Sequence, residues 1–221
     1  MSFVAVLPNL SFADGDLEIL ATAVERVRSL APRMVLLTGI LSDAVRDQCR
    51  RGCLSTCSWE PTGLRRFQDL IVQPLVVEAR MSVGVVGLVG HGDFCPCRPM
   101  ISDWDGRGAV EALPPVFDIA PGWCVLGRSG HPRLHRDVGP GVAGLVEARR
   151  LSSSVVVGDT GRLGVGRLRV VGTGSERLLV GVEAGALSSR EPVDRRRRSE
   201  FGFAVLTLDG QSVVDAECRS L

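Results

Sequence analysis

Apolar runs and helical periodicities take turns through the first part of the chain. Residues 3–8 (FVAVLP) form an unbroken apolar run, which predicts a buried strand. Leu17, Leu20, Val24, Val27 and Leu30 then recur at helical spacing, with Asp14 or Asp16 placed to cap the helix. Residues 34–39 (MVLLTG) are a second apolar strand ending on glycine. Residues 46–57 show no clear period. Residues 63–79 read as a second helix, with Leu64, Phe67, Leu70, Ile71 and Leu75 on one side and Pro74 as a kink or break. Residues 82–90 (SVGVVGLVG) are a third core strand. Strand, helix and strand with continuous apolar strands indicate a buried parallel or mixed sheet.

The second part of the chain is mainly β. Residues 91–108 are turn-rich and polar, which predicts a surface loop. PVFDIA and WCVLG read as short strands about Pro121 and Gly122, and residues 138–150 as a helix. Residues 152–164 read as a strand running into a glycine-rich loop. The tail (GRLRVVG, RLLVGVEAG, FGFAVLTLDG, QSVVDAE) alternates like a run of antiparallel strands. Neither a fixed-period repeat nor a linker is visible. A single α/β domain over residues 1–221 is expected, a two-layer or four-layer sandwich.

Composition narrows the function. With 221 residues, 45% hydrophobic and 23% charged, the chain is globular rather than disordered. The 26 basic and 25 acidic residues nearly cancel, which excludes a protein held on nucleic acid by net charge alone. Every basic residue is Arg, Tyr is absent, and Asn9 is the lone Asn, a bias that reads as a GC-rich genome. No Lys base and no Tyr acid is available to any mechanism. An apolar run of about 18 residues, the length of a membrane span, is missing. The start lacks a basic region followed by a cleavage pattern, so no signal peptide is expected and a cytoplasmic location is.

The seven Cys are an odd number, which argues against a disulfide framework. Cys49, Cys53 and Cys57 fall at i, i+4 and i+8, and Cys95 and Cys97 are separated by one Pro. Together they offer a zinc site as one alternative. Buried or free thiols are the expectation, because structural zinc ligands usually follow tighter spacings. Arg195, Arg196, Arg197 and Arg198 form a run suited to phosphate or acidic partners, with a solvated loop as its plain alternative. Trp59 and Trp104 stand in polar, turn-rich sequence, and Trp and Arg anchor interfaces.

Five turn-marked loops follow the apolar strands, at residues 8–12, 39–43, 90–94, 126–131 and 158–164. In order and spacing they resemble the motifs of the calcineurin-like metallophosphoesterases: D-x-H, G-D-x-x-D, G-N-H-D, H-G and G-H-T-H. The chain reads Asn9-Leu10-Ser11, then Thr38-Gly39-Ile40-Leu41-Ser42-Asp43, then Gly90-His91-Gly92-Asp93, then Ser129-Gly130. The last motif reads Gly158-Asp159-Thr160-Gly161-Arg162-Leu163-Gly164. The closing strands also resemble family members from actinobacterial-type phages.

This resemblance implies a metallophosphoesterase-like sandwich of two mixed β-sheets flanked by helices. It also implies a site depleted of ligands. Asn9 and Ser11 replace Asp and His, and Ile40 replaces the bridging Asp. His91 and Gly92 replace Asn and the catalytic His, Ser129 replaces a His, and Asp159 and Gly161 replace both His of the last motif. Asp43 and Asp93 keep the family's residue. Without a bridging anion two nearby dications repel strongly. The expected cleft is therefore collapsed, or filled by apolar and Arg side chains around Ile40. The function implied is a non-catalytic binding or scaffold subunit, a phage virion or replication component, with no cofactor. Its partner is another protein or a second copy, met through residues 50–61, 91–108 or 195–198. One alternative is a divergent phosphodiesterase with one weakly bound divalent cation at Asn9, His91, Asp93 and Asp159. The other is a nucleic-acid-binding accessory using Arg195–198.

Overall fold

The computed structural model describes residues 1–10, 16–39, 65–86, 110–127, 138–172, 175–187 and 200–221. Strand β1 (Ser2–Pro8) leads into helix α1 (Leu17–Leu30), then β2 (Met34–Thr38), a π-wound helix (Gln68–Glu78) and β3 (Ser82–Val86). Strands β4 (Val110–Leu113), β5 (Val116–Ala120) and β6 (Trp123–Leu126) precede helix α2 (Val142–Leu151). They are followed by β7 (Ser154–Val157), β8 (Leu163–Gly172), β9 (Ser175–Ala184), β10 (Gly202–Asp209) and β11 (Ser212–Ser220).

These strands make two mixed sheets. The first runs β11-β10-β1-β2-β3-β4, with β1 through β4 parallel and β10 and β11 antiparallel to their neighbours. The second runs β5-β6-β7-β9-β8, with β6, β7 and β9 parallel and the outer strands antiparallel. The period of two splits each central strand between two cores. Ala5 and Leu7 face α1 and the π-wound helix, alongside Val24, Val27, Ile71 and Leu75. Val4 and Val6 face the second sheet, alongside Val125, Val156 and Val182. On the far side, Cys124, Val155 and Val157 bury a third core that includes Ala148 of α2. The result is helix, sheet, sheet, helix: the four-layer form of the sandwich. A fully buried Val or Leu contributes roughly 1.5–3 kcal/mol, so these three layers carry the fold.

Several expectations need correcting. The tail is not one antiparallel meander: β8 and β9 pair in the second sheet, whereas β10 and β11 pair in the first. Inward residues of both strand pairs bury in the same core between the sheets, Val182 of β9 alongside Leu206 of β10, so local alternation carries no record of which sheet a strand joins. Asp16 sits at the start of α1 and is buried, but makes no side-chain capping bond, while Asp14 lies outside the described residues. Pro74 does not break its helix. The missing N–H is absorbed by wider winding, in which the Ala79 N–H donates to the Pro74 carbonyl. Helix α2 starts later than the periodicity implies, after Pro140 and Gly141, where Gly141 adopts φ +83°. Strand β4 carries too short a signal to be read from sequence, yet it extends the parallel sheet beside β3.

Candidate functional site: the edge where strand ends converge

The C-terminal ends of β1, β2, β3, β6 and β7 lie at one edge of the sandwich, because within each sheet they run parallel. The two sheets are stitched together there. Thr38 at the end of β2 donates its hydroxyl to the Leu126 carbonyl at 2.6 Å. The Gly39 N–H donates to the Gly127 carbonyl at 3.1 Å, and the Asn9 N–H to the Thr38 carbonyl at 2.9 Å. Asn9 turns out of β1 with φ +42°, a region Asn tolerates better than most residues. Gly39 has φ +82°, and the space a side chain there would need is filled by Asn9 Oδ1, with the Gly158 carbonyl 3.1 Å away. A side chain at Gly158 would run into the Thr38 methyl group. Four of the five loop bases named from sequence therefore meet within van der Waals contact.

Asp159 follows Gly158, and its Oδ1 is sealed from solvent. Gly161 has φ +67°, so the last loop needs a left-handed residue at one of the positions where the family places His. Of the motif positions that could ligate, the described part of the edge carries the Asn9 amide and the Asp159 carboxylate. Ser11, Ile40, Asp43, His91, Gly92, Asp93 and Ser129 lie outside the described residues. So do Trp59, Trp104, Arg195 through Arg198, and Cys49, Cys53, Cys57, Cys95 and Cys97. Among the described residues there is no group of three or more His, Cys, Asp or Glu able to hold a metal ion.

The stems of the arginine-bearing segment are placed. Leu187 forms a parallel bridge with Leu10, one residue from Asn9. On return, the Glu200 N–H donates to the Gly161 carbonyl at 3.0 Å, and its Oε2 accepts the Leu163 N–H at 2.7 Å. The described flanks of residues 188–199, Leu187 and Glu200, therefore both lie at this same edge.

Behind the last loop lies a group that the sequence reading missed. Glu183 on β9 is wholly buried, and its Oε1 accepts the Ala143 N–H at 2.9 Å, in the first turn of α2. Its Oε2 faces Arg162 Nε at 3.9 Å, an ion pair rather than a hydrogen bond. A carboxylate at a helix N-terminus satisfies an orphan N–H and meets the positive end of the dipole. The only sequence signal was one acid inside an apolar strand. The Cys218 thiol donates to the Glu183 carbonyl at 3.4 Å, and burial pushes it up to about 11. Cys124 is likewise pushed up to about 11, by burial and then by nearby Asp118. Both are inert thiols at neutral pH.

The sequence matches no protein-family model. It is 32% identical over 116 residues to the Gene 54 protein of Mycobacterium phage L5, a stretch covering 50% of this chain and 44% of that protein. The chain thus spans less than half the length of the curated relative it matches. Among solved structures, a Vps29 double mutant from Entamoeba histolytica aligns with TM-score 0.47 and 17% identity. That alignment covers 99% of this chain and 98% of the other. Vps29 from Chaetomium thermophilum aligns with TM-score 0.46 and 11% identity, covering 100% and 97%.

Proposed function

We propose that this chain is a metallophosphoesterase-like protein without catalytic activity, serving as a binding or scaffold subunit of a larger phage assembly. The observation that supports the reading is the packed junction of the loop bases, where Asn9 stands in place of the family's first Asp and no room is left for a side chain at Gly39 or Gly158. The donor chemistry points the same way. A dinuclear centre needs bridging and terminal carboxylates with several imidazoles, and the described residues supply Asn9 and Asp159. These residues do not fit a two-metal centre. The phage context is supported by the 32% identity to a mycobacteriophage protein, which extends over half of this chain.

The test is hydrolysis of an activated phosphodiester such as bis(p-nitrophenyl) phosphate by purified full-length chain with manganese. The expected result is a rate equal to that of manganese alone. A manganese-dependent rate that Asp159→Ala abolishes would instead establish a divergent phosphodiesterase.

A further inference from the structure

Strand β11 ends the first sheet, and among the described residues nothing pairs with its outer edge. We propose that this edge joins a second copy of the chain in an antiparallel, two-fold pairing centred on Cys218. The backbone fixes which groups are on offer. The Leu221 N–H donates inward to the Phe201 carbonyl, whereas the Ser220 carbonyl faces outward and accepts Arg26 Nη1 at 2.6 Å. Backbone groups alternate sides along a strand, so Ala216, Cys218 and Ser220 present theirs outward while Glu217 and Arg219 use theirs on β10. A carbonyl has two lone pairs, so the Arg26 contact leaves Ser220 able to accept a second bond.

An antiparallel partner must match outward residues with outward residues, so the two-fold axis passes through a residue rather than between two. Centring on Glu217 sets that carboxylate opposite its own copy. Centring on Arg219 sets guanidinium against guanidinium. Centring on Cys218 sets Glu217 opposite Arg219 of the other copy, twice by symmetry, in the non-hydrogen-bonded pairs where side chains come closest. The register centred on Cys218 is the one that sets Glu217 against Arg219, and it is self-complementary in the way a two-fold interface requires. Both side chains are there to be used: Glu217 and Arg219 are 45% and 40% exposed, and they already pair within the chain at 2.6 Å.

Light scattering on the full chain across a concentration series tests this. The expected mass is twice 23.6 kDa at the upper end. Glu217→Arg alone, or Arg219→Glu alone, sets like charges opposite each other and should weaken the dimer by about tenfold or more. The double variant Glu217→Arg with Arg219→Glu restores every opposite pair and should restore the dimer, which also controls for folding. A monomeric wild type would overturn the proposal. So would a dimer indifferent to the single changes, or one that the double swap fails to rescue.

Discussion

At the scale of single residues, Glu183 and the two described thiols do measurable work without taking part in any chemistry. Glu183 reaches the Ala143 N–H through one oxygen and Arg162 through the other. Glu183→Gln keeps an acceptor for the helix and loses the ion pair, so it should cost less than Glu183→Ala, which strands a buried N–H. The alanine variant is expected to lose roughly 1–3 kcal/mol, read as a lower midpoint in urea unfolding. Equal losses in the two variants would mean that the helix contact is idle. Cys124 and Cys218 titrate at about 11 in the folded chain, above their value in the unfolded one. Burial thus favours the neutral thiol in the folded state. Stability from this source is complete at neutral pH and falls as the pH rises from about 9 toward 11, as unfolded thiols lose their protons first. Cys124→Ala should flatten that decline in unfolding curves taken at pH 7, 9 and 10.5. A slope unchanged by the substitution would refute the assignment. The sequence showed Cys124 in an apolar stretch and Cys218 between Glu217 and Arg219. It did not show Glu183 as a cap, because a helix twenty residues and more away along the chain leaves no local mark on a strand.

At the scale of elements, helix α2 sits on β9 with almost no side chain between them. A Cβ on Gly181 would run into the Leu145 nitrogen and the Gly144 carbonyl carbon, and one on Gly144 would meet the Gly181 carbonyl carbon at 2.7 Å. These obstacles are backbone, which no rotamer change relieves, so the helix must lift away. Gly181→Ala is therefore expected to destabilise by roughly 1–3 kcal/mol, whereas Gly122→Ala meets open space and pays only for its φ of +74°. Thermal unfolding of the two variants compares them, and a smaller loss at Gly181 would contradict the close approach. The core strands were legible because each is an unbroken apolar run, and α1 because its buried face (Leu20, Ala23, Val24, Val27) keeps strict helical spacing. The seat of α2 was not, since a glycine in a strand reads equally well as a bulge or a turn. The winding through Pro74 was hidden for a different reason: Ile71, Val72 and Leu75 hold the helix to the core on both sides of the proline, which outweighs the local preference to break.

At the scale of the whole molecule, the order of loops along the chain and the parallel direction of the strands are one fact seen twice. Parallel strands must end on the same edge, so residues as distant as Asn9 and Gly158 meet there. That much of the candidate site was readable from motif order. The hydrogen bonds that close the edge were not, because Thr38 to Leu126 and Gly39 to Gly127 are set by how two sheets stack. The proposed non-catalytic role requires that the chain take up no pair of metal ions. Calorimetric titration of the metal-stripped full-length chain with manganese tests it most directly. No saturable uptake of two manganese ions per chain is expected. Two ions bound per chain, with uptake lost in Asp159→Ala, would contradict it.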